Sequence, residues 1–425
     1  MFQALRIRDF RLLWTGGLVS SLGSWLLVLA IPAHVFLVTG SLRATGLTLA
    51  SEYLPRLVLG PVAGVFTDRW DRRRLMIATN LFCAGAVAVM LLGTSPGRYW
   101  VLYAALIAEN SGVVLYAPAW QARTPAIVGT GPLLSSANSL SSVTSGTVAL
   151  IGGPLGGFLL TVFGITWLIG ADVLSYLLSA VAMSMTSRPD SEQADSEQPD
   201  SEQPDGEEAD RKATVAGVAR DLIEGVRVLR RQPVARALLP VTVTFLAANA
   251  SLSAVLIPLG VQRLGGSEHT GFLLSCLGVG YLAGAPVIRV LLDRVQPRNL
   301  LTVSLTATAA ASFLLFTSSS LGTALPAAVA IGMFGSMSLV VPQTALQRVI
   351  PNAALGRVSA VFLTGEAAAT LTGAAVGPFI AQAAHFTGVA IAAGLVMLSA
   401  ATLAWLLVPR IMPRLPEIPV PPDQG

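Results

Sequence analysis

GVFTDRWDRRRLMIATNLFCAGAVAVMLLG, residues Gly64 to Gly93, decides the fold. Its opening carries six charges: Asp68, Arg69, Asp71, Arg72, Arg73 and Arg74. From Leu75 to Gly93 there is none. As a helix rising about 1.5 Å per residue, that uncharged run nearly matches the ~30 Å hydrocarbon core of a bilayer. Comparable runs recur from Leu12 to Val408. Only 12% of the 425 residues are charged and the mean hydropathy is +0.68. Soluble domains carry about 25% charged residues. The sequence therefore predicts an all-α, polytopic membrane protein whose function rests on the few polar groups left inside.

Twelve spans are expected, at about 12–37, 44–66, 75–94, 99–121, 139–162, 165–186, 236–260, 270–292, 300–318, 321–345, 358–383 and 387–408. The arginines orient them. With the N-terminus in the cytoplasm, 22 basic residues fall on that side and three outside: Arg43, Arg98 and Arg263. Arg56 and Arg289 fall within spans. Positive charge is retained on the cytoplasmic side, so both termini are expected there, in the inner or plasma membrane. The start, MFQALRIRDFRLLW, leads into a span-length apolar stretch and reads as the first span rather than a cleaved leader.

Landmarks repeat along the chain. Ile31-Pro32 answers to Ile257-Pro258, Asp68-Arg69 to Asp293-Arg294, Pro118 to Pro342 and Gly153-Pro154 to Gly377-Pro378, all at offsets of 224 to 226. Four landmarks in one order predict a duplication into two six-helix, pseudo-symmetric halves related by an axis along the membrane normal. The divisions expected are 1–187 (first half), 188–233 (cytoplasmic linker), 234–409 (second half) and 410–425 (a proline-rich cytoplasmic tail).

The linker contains SEQADSEQPDSEQPDGEEAD, Ser191 to Asp210. Ten of the 23 acids lie between Asp190 and Asp210, so the remainder sets 27 basic residues against 13 acids. The segment reads as a disordered, self-repelling tether. After it, Val215, Val218, Leu222, Val226 and Leu229 form a helical stripe backed by arginines, an amphipathic helix for the membrane surface. The basic excess follows from membrane orientation and is no nucleic-acid signature. Cys83 and Cys276 fall in separate spans, with no metal-ligand or disulfide pattern. His34, His269 and His385 lack ligand spacing. No nucleotide-binding loop and no nucleophile–base set is visible, so an enzyme, a metal and a cofactor are not expected.

The loop after span 2 has Gly64, three residues, Asp68-Arg69, two residues, then Arg72 and Arg73. An aspartate beside an arginine cluster at a helix end makes a charged latch, and Asp68 is placed to cap a neighbouring helix. With the twelve spans and duplicated halves, this pattern resembles the major facilitator superfamily. The resemblance implies its fold, alternating access, and a gate latch at Gly64, Asp68, Arg69, Arg72 and Arg73. Asp71 stands where that family usually has glycine. Gly152, Gly153, Pro154 and Gly157 in span 5 resemble the glycine-proline motif of antiporters in this superfamily, although helix packing alone also explains small residues there. Pro118-Ala-Trp-Gln-Ala-Arg-Thr-Pro125, Asp172-Val-Leu-Ser-Tyr176, Leu229-Arg230-Arg231-Gln-Pro233, Gln347-Arg348-Val-Ile-Pro351 and Gly356-Arg357 are similar to the branch of macrolide and siderophore exporters.

Four acids fall inside the membrane: Glu52, Glu109, Asp172 and Glu366. An ionised group at mid-bilayer costs at least ~2.5–3.5 kcal/mol, which makes each a functional candidate. Glu109, near the middle of span 4 beside Asn110, is the leading proton-coupling residue. Asp172 suits protons or a cationic substrate, and Glu366 suits a central cavity. Glu52 and Arg56, four apart, suggest an intrahelical ion pair. The substrate cavity is expected at the interface of the two halves near the midplane, with Trp25, Tyr53, Asn110, Asn249 and Phe362 as candidate walls. The expected function is secondary active export of an amphipathic small molecule (a drug, natural product or siderophore) by proton antiport. The expected partners are that substrate, protons and the lipid bilayer, with a monomeric chain. The alternatives are an uptake permease, a lysophospholipid flippase or a non-transporting sensor or scaffold.

Overall fold

Capping and proline residues set where the helices begin and end. The structure, a computed structural model, describes residues 3–95, 97–129, 131–187, 215–264, 267–291, 294–350 and 352–409. Among these, every regular element is helical. A short turn, Gln3–Arg6, leads into α1 (Arg8–Thr39), α2 (Leu42–Arg69), α3 (Arg72–Gly93), α4 (Tyr99–Val128), α5 (Pro132–Phe163) and α6 (Ile165–Ser184). Then come α7 (Val215–Arg231), α8 (Pro233–Arg263), α9 (Ser267–Leu291), α10 (Pro297–Thr317), α11 (Leu321–Val349) and α12 (Asn352–Leu407). Within the described residues, eight of these helices are long and apolar enough to cross a membrane.

Proline opens α5, α8 and α10, where its missing N–H costs nothing. Gly40 ends α1 at φ +61°, its N–H bonded to the Phe36 carbonyl at 2.8 Å. The Ser41 hydroxyl then accepts from the Ala44 N–H at 3.3 Å and starts α2. Asp71 answers the question raised by its departure from glycine. Its φ is −55°, which any residue adopts, and its carboxylate accepts from the Arg74 N–H at 2.8 Å as the cap of α3. The last helix is broken at Ala384 and His385, where His385 takes φ +57°, separating 352–383 from 386–407.

The apolar core is divided. One cluster, centred on Leu238, Phe245, Leu301, Val341 and Met397, takes its buried members from residues 229–408. Two others, around Met90 and Leu102 and around Phe10 and Met76, take theirs from residues 4–183. The two sets meet where α2 packs on α12 and α5 on α9. A small cluster of Leu29, Ala33 and Ile257 joins them, as does the Arg43 guanidinium, 4.7 Å over the Phe379 ring. Arg43 and the Arg72–Arg74 cluster flank opposite ends of α2, so these contacts lie at the end away from the arginine-rich loop.

Within each set, several helix seams depend on glycine, among them α5–α1 and α12–α8. A Cβ at Gly152 would meet the Trp25 Cβ, and one at Gly156 the Leu26 carbonyl, where α5 crosses α1. On α12, Gly373 and Gly377 press in the same way on the carbonyls of Ala247 and Ser251 in α8. The Ser251 hydroxyl donates to the Gly373 carbonyl at 3.0 Å. Small residues let these backbones touch. Gly157 meets the Leu29 side chain, so Gly152 and Gly157 of the antiporter-like motif act here as packing surfaces. The side chains of Gly153 and Pro154 lie outside the described ones.

Candidate functional site

A cavity of about 260 Å³ opens between α1, α2, α3, α4 and α6. On α1 it is lined at helical spacing by the small or polar Gly17, Ser20, Ser21 and Ser24 and then by the apolar Trp25, Leu27, Val28 and Ile31. From α2 come Glu52, Tyr53 and Arg56, from α4 Glu109, Asn110 and Tyr116, and from α6 Tyr176. Three of the five expected wall residues, Trp25, Tyr53 and Asn110, are therefore at this cavity, but its lining comes only from residues 17–176 and not from the interface of the two halves where it was expected.

Glu109 is buried midway along α4. Its Oε1 accepts the Tyr176 hydroxyl at 3.0 Å. The Tyr176 oxygen in turn lies 2.9 Å from the Ser24 Oγ, whose single proton serves either this oxygen, completing the line, or the Ser20 carbonyl at 3.1 Å. A hydrogen-bonded line thus runs from the acid across α6 to the serine face of α1. The Cys83 thiol closes the other flank, donating to the Glu109 carbonyl at 3.4 Å. Hydrogen bonds to an ionised partner are worth roughly 1.5–3 kcal/mol, comparable to the cost of holding the charge at this depth.

Asp172 sits behind this line and is fully buried at 0% exposure. Its Oδ1 accepts the Ser175 hydroxyl at 2.9 Å, and its Oδ2 has no partner. Gly23 on α1 makes the space, since a Cβ there would collide with the Asp172 and Ser175 oxygens. Asp172 is not part of the wall of this cavity.

Other expectations change as well. Glu52 is buried at the cavity. Instead of closing a contact ion pair with Glu52, the Arg56 guanidinium lies 5.1 Å over the Tyr53 ring. Phe362 is buried in the core formed by residues 229–408, where an apolar aromatic ring gains most, and not at the cavity. Asn249 and Glu366 are half-buried on α8 and α12 and do not line it either. Sequence reasoning gave no role at the site to Gly23, Ser24, Cys83 or Tyr116. The run Ser20, Ser21, Gly23, Ser24 inside an apolar span was the available signal.

At the arginine-rich end, Arg73 donates to the Ser184 carbonyl at the close of α6. Arg123 donates to the Thr186 Oγ1 at 3.0 Å and the Ser187 carbonyl at 2.9 Å, and Asp9 accepts from the Ser187 N–H at 3.0 Å. These charge-assisted bonds tie α1, α3 and α4 to the end of α6. Arg72 is exposed. The side chains of Gly64, Asp68 and Arg69 lie outside the described ones.

The model of the transmembrane secretion effector family, within the major facilitator superfamily, matches residues 1–414. The chain belongs to this family. It is 28% identical over 183 residues to macrolide efflux protein A of Streptococcus pyogenes. That match covers 42% of this chain and 45% of the relative, so it spans about half the length of that protein. It is 25% identical over 372 residues to the enterobactin exporter EntS of Escherichia coli O1:K1, covering 84% of this chain and 82% of that one. Among solved structures, the D-xylose–proton symporter superposes with a TM-score of 0.70 at 16% identity, covering 95% of this chain and 98% of that one. The secretion-effector family and these neighbours fix a helical, multi-pass membrane protein of the major facilitator fold.

Proposed function

We propose that the protein exports an amphipathic small molecule in exchange for protons, by alternating access between two six-helix halves that make twelve spans. The repeated landmarks, the separate cores of residues 4–183 and 229–408, and the two seams α2–α12 and α5–α9 support the halves. The arginine distribution supports cytoplasmic termini, and hence an outer closure at Leu29, Ala33 and Ile257. Its family relatives, a macrolide efflux protein and an enterobactin exporter, favour export and a substrate of that size.

One observation carries the coupling: Glu109, buried in a membrane span, borders the cavity and takes the Tyr176 hydroxyl. Such a group can exist neutral in one state and charged in another. Substrate and proton would alternate at it, while Glu52 and Arg56 set the local charge. A single charge crossing 100 mV releases ~2.3 kcal/mol, enough for appreciable concentration.

The test uses everted membrane vesicles with an imposed pH gradient and a panel containing a macrolide, enterobactin and cationic dyes. Gradient-driven uptake abolished by a protonophore is expected for at least one compound. No gradient-dependent uptake across the panel would contradict the proposal.

A further inference from the structure

The face of α7 lines a groove separate from the cavity between α1, α2, α3, α4 and α6. A groove of about 620 Å³ runs between α7 and α12, lined by Ile223, Val226, Arg227, Arg230 and Arg231 on α7 and by Val361 and Thr364 on α12. Every charged side chain among these lining residues is an arginine, and all three arginines are exposed. The groove is not only cationic: Ile223 stays 63% exposed beside it, and Val361 continues the apolar wall onto the first turns of a span-length helix. Leu363, two residues along α12, is 64% exposed, as expected of a side chain facing lipid. Meanwhile Leu229 is buried in the core of residues 229–408 and holds α7 against the bundle.

We infer that this groove holds an anionic phospholipid, its phosphate on Arg227, Arg230 and Arg231 and an acyl chain along Ile223, Val226 and Val361. Guanidinium groups bind phosphate oxygens in paired hydrogen bonds. The apolar half decides between occupants. The acidic segment Ser191–Asp210 would match the charge, but its polar repeats offer nothing to the Ile223–Val361 wall. A lipid satisfies both halves at once. Each arginine near an anionic membrane surface contributes about a fivefold preference, so three together give roughly a hundredfold.

Purified full-length protein in a neutral detergent, titrated with phosphatidylglycerol or phosphatidylcholine and read by native mass spectrometry, tests this. Wild type should retain phosphatidylglycerol in preference to phosphatidylcholine. Arg227→Gln with Arg230→Gln and Arg231→Gln should weaken that binding roughly a hundredfold, whereas the three lysine substitutions, which keep the charge but lose the paired hydrogen bonds, should bind between the two. If the glutamine variant does not fold, Ile223→Ser with Val226→Ser preserves every charge and should bind about tenfold more weakly. Unchanged phosphatidylglycerol binding in the glutamine or the serine variant overturns the inference. So does inorganic phosphate displacing the lipid at equal concentration, because the apolar wall would then contribute nothing. Lipid binding that emerges only after deletion of residues 191–210 would assign the groove to the acidic segment instead.

Discussion

Gly23→Ala is the substitution that probes how the buried acids are seated. A methyl at this position occupies the space of the Asp172 and Ser175 oxygens. Asp172 is fully enclosed, so its carboxylate has no solvent to rotate into. Overpacking of this kind costs about 1–3 kcal/mol. Losing the Ser175–Asp172 hydrogen bond of 2.9 Å adds about 1.5–3 kcal/mol, and alanine returns about 1 kcal/mol of helix propensity. The net expectation is a loss of roughly 2–4 kcal/mol, read as a fall in Tm of about 2–5 °C in detergent for a chain of this length. In an Asp172→Ala background the carboxylate is gone and only Ser175 still crowds the methyl. There Gly23→Ala should cost no more than ~1 kcal/mol, a coupling of about 2–3 kcal/mol. Thermal unfolding of the four proteins in the cycle measures it. If the two changes add to within ~0.5 kcal/mol, Asp172 does not lie against α1 and the geometry of the site is wrong.

Tyr176→Phe removes the hydroxyl given to Glu109 and should slow proton-coupled exchange at least tenfold with folding retained; vesicle exchange at the wild-type rate would contradict the hydrogen-bonded line. Gly156→Ala forces a Cβ onto the Leu26 carbonyl, whereas Gly85→Ala meets nothing within 4 Å. The first should lower Tm by several degrees and the second leave it level or raised, as parallel melts will show. Asp71→Ala removes the cap of α3 and should cost about 1 kcal/mol, while Asp71→Asn should recover most of it in the same melts. A chain lacking residues 191–210 should export at close to the normal rate in vesicles; lost transport would give the acidic segment a role beyond tethering.

The membrane class and helix positions were legible because burial in hydrocarbon forbids charge over whole spans, a signal integrated over many residues. Glu109 was legible for the same reason, since one acid in such a run stands out. The wall of the cavity was only half legible. Trp25, Tyr53 and Asn110 face it, but Phe362 turned into the core, because a phenylalanine in a span suits either surface equally. The fate of Asp172 depended on a glycine in another helix, 149 positions away in sequence, and no local pattern connects Gly23 to Asp172. Arg56 chose the Tyr53 ring over Glu52 although i,i+4 spacing favours the ion pair. Spacing sets which groups can meet and the surrounding helices decide which do. The packing role of Gly152 and Gly157 likewise needed the position of α1.

The central claim is that Glu109 exchanges a proton in the transport cycle. The most direct measurement is substrate-induced proton release from purified protein, compared between wild type and Glu109→Gln at matched stability. Wild type should release protons on binding substrate, and Glu109→Gln should bind substrate with no release. Equal proton release from both would place the coupling at another group.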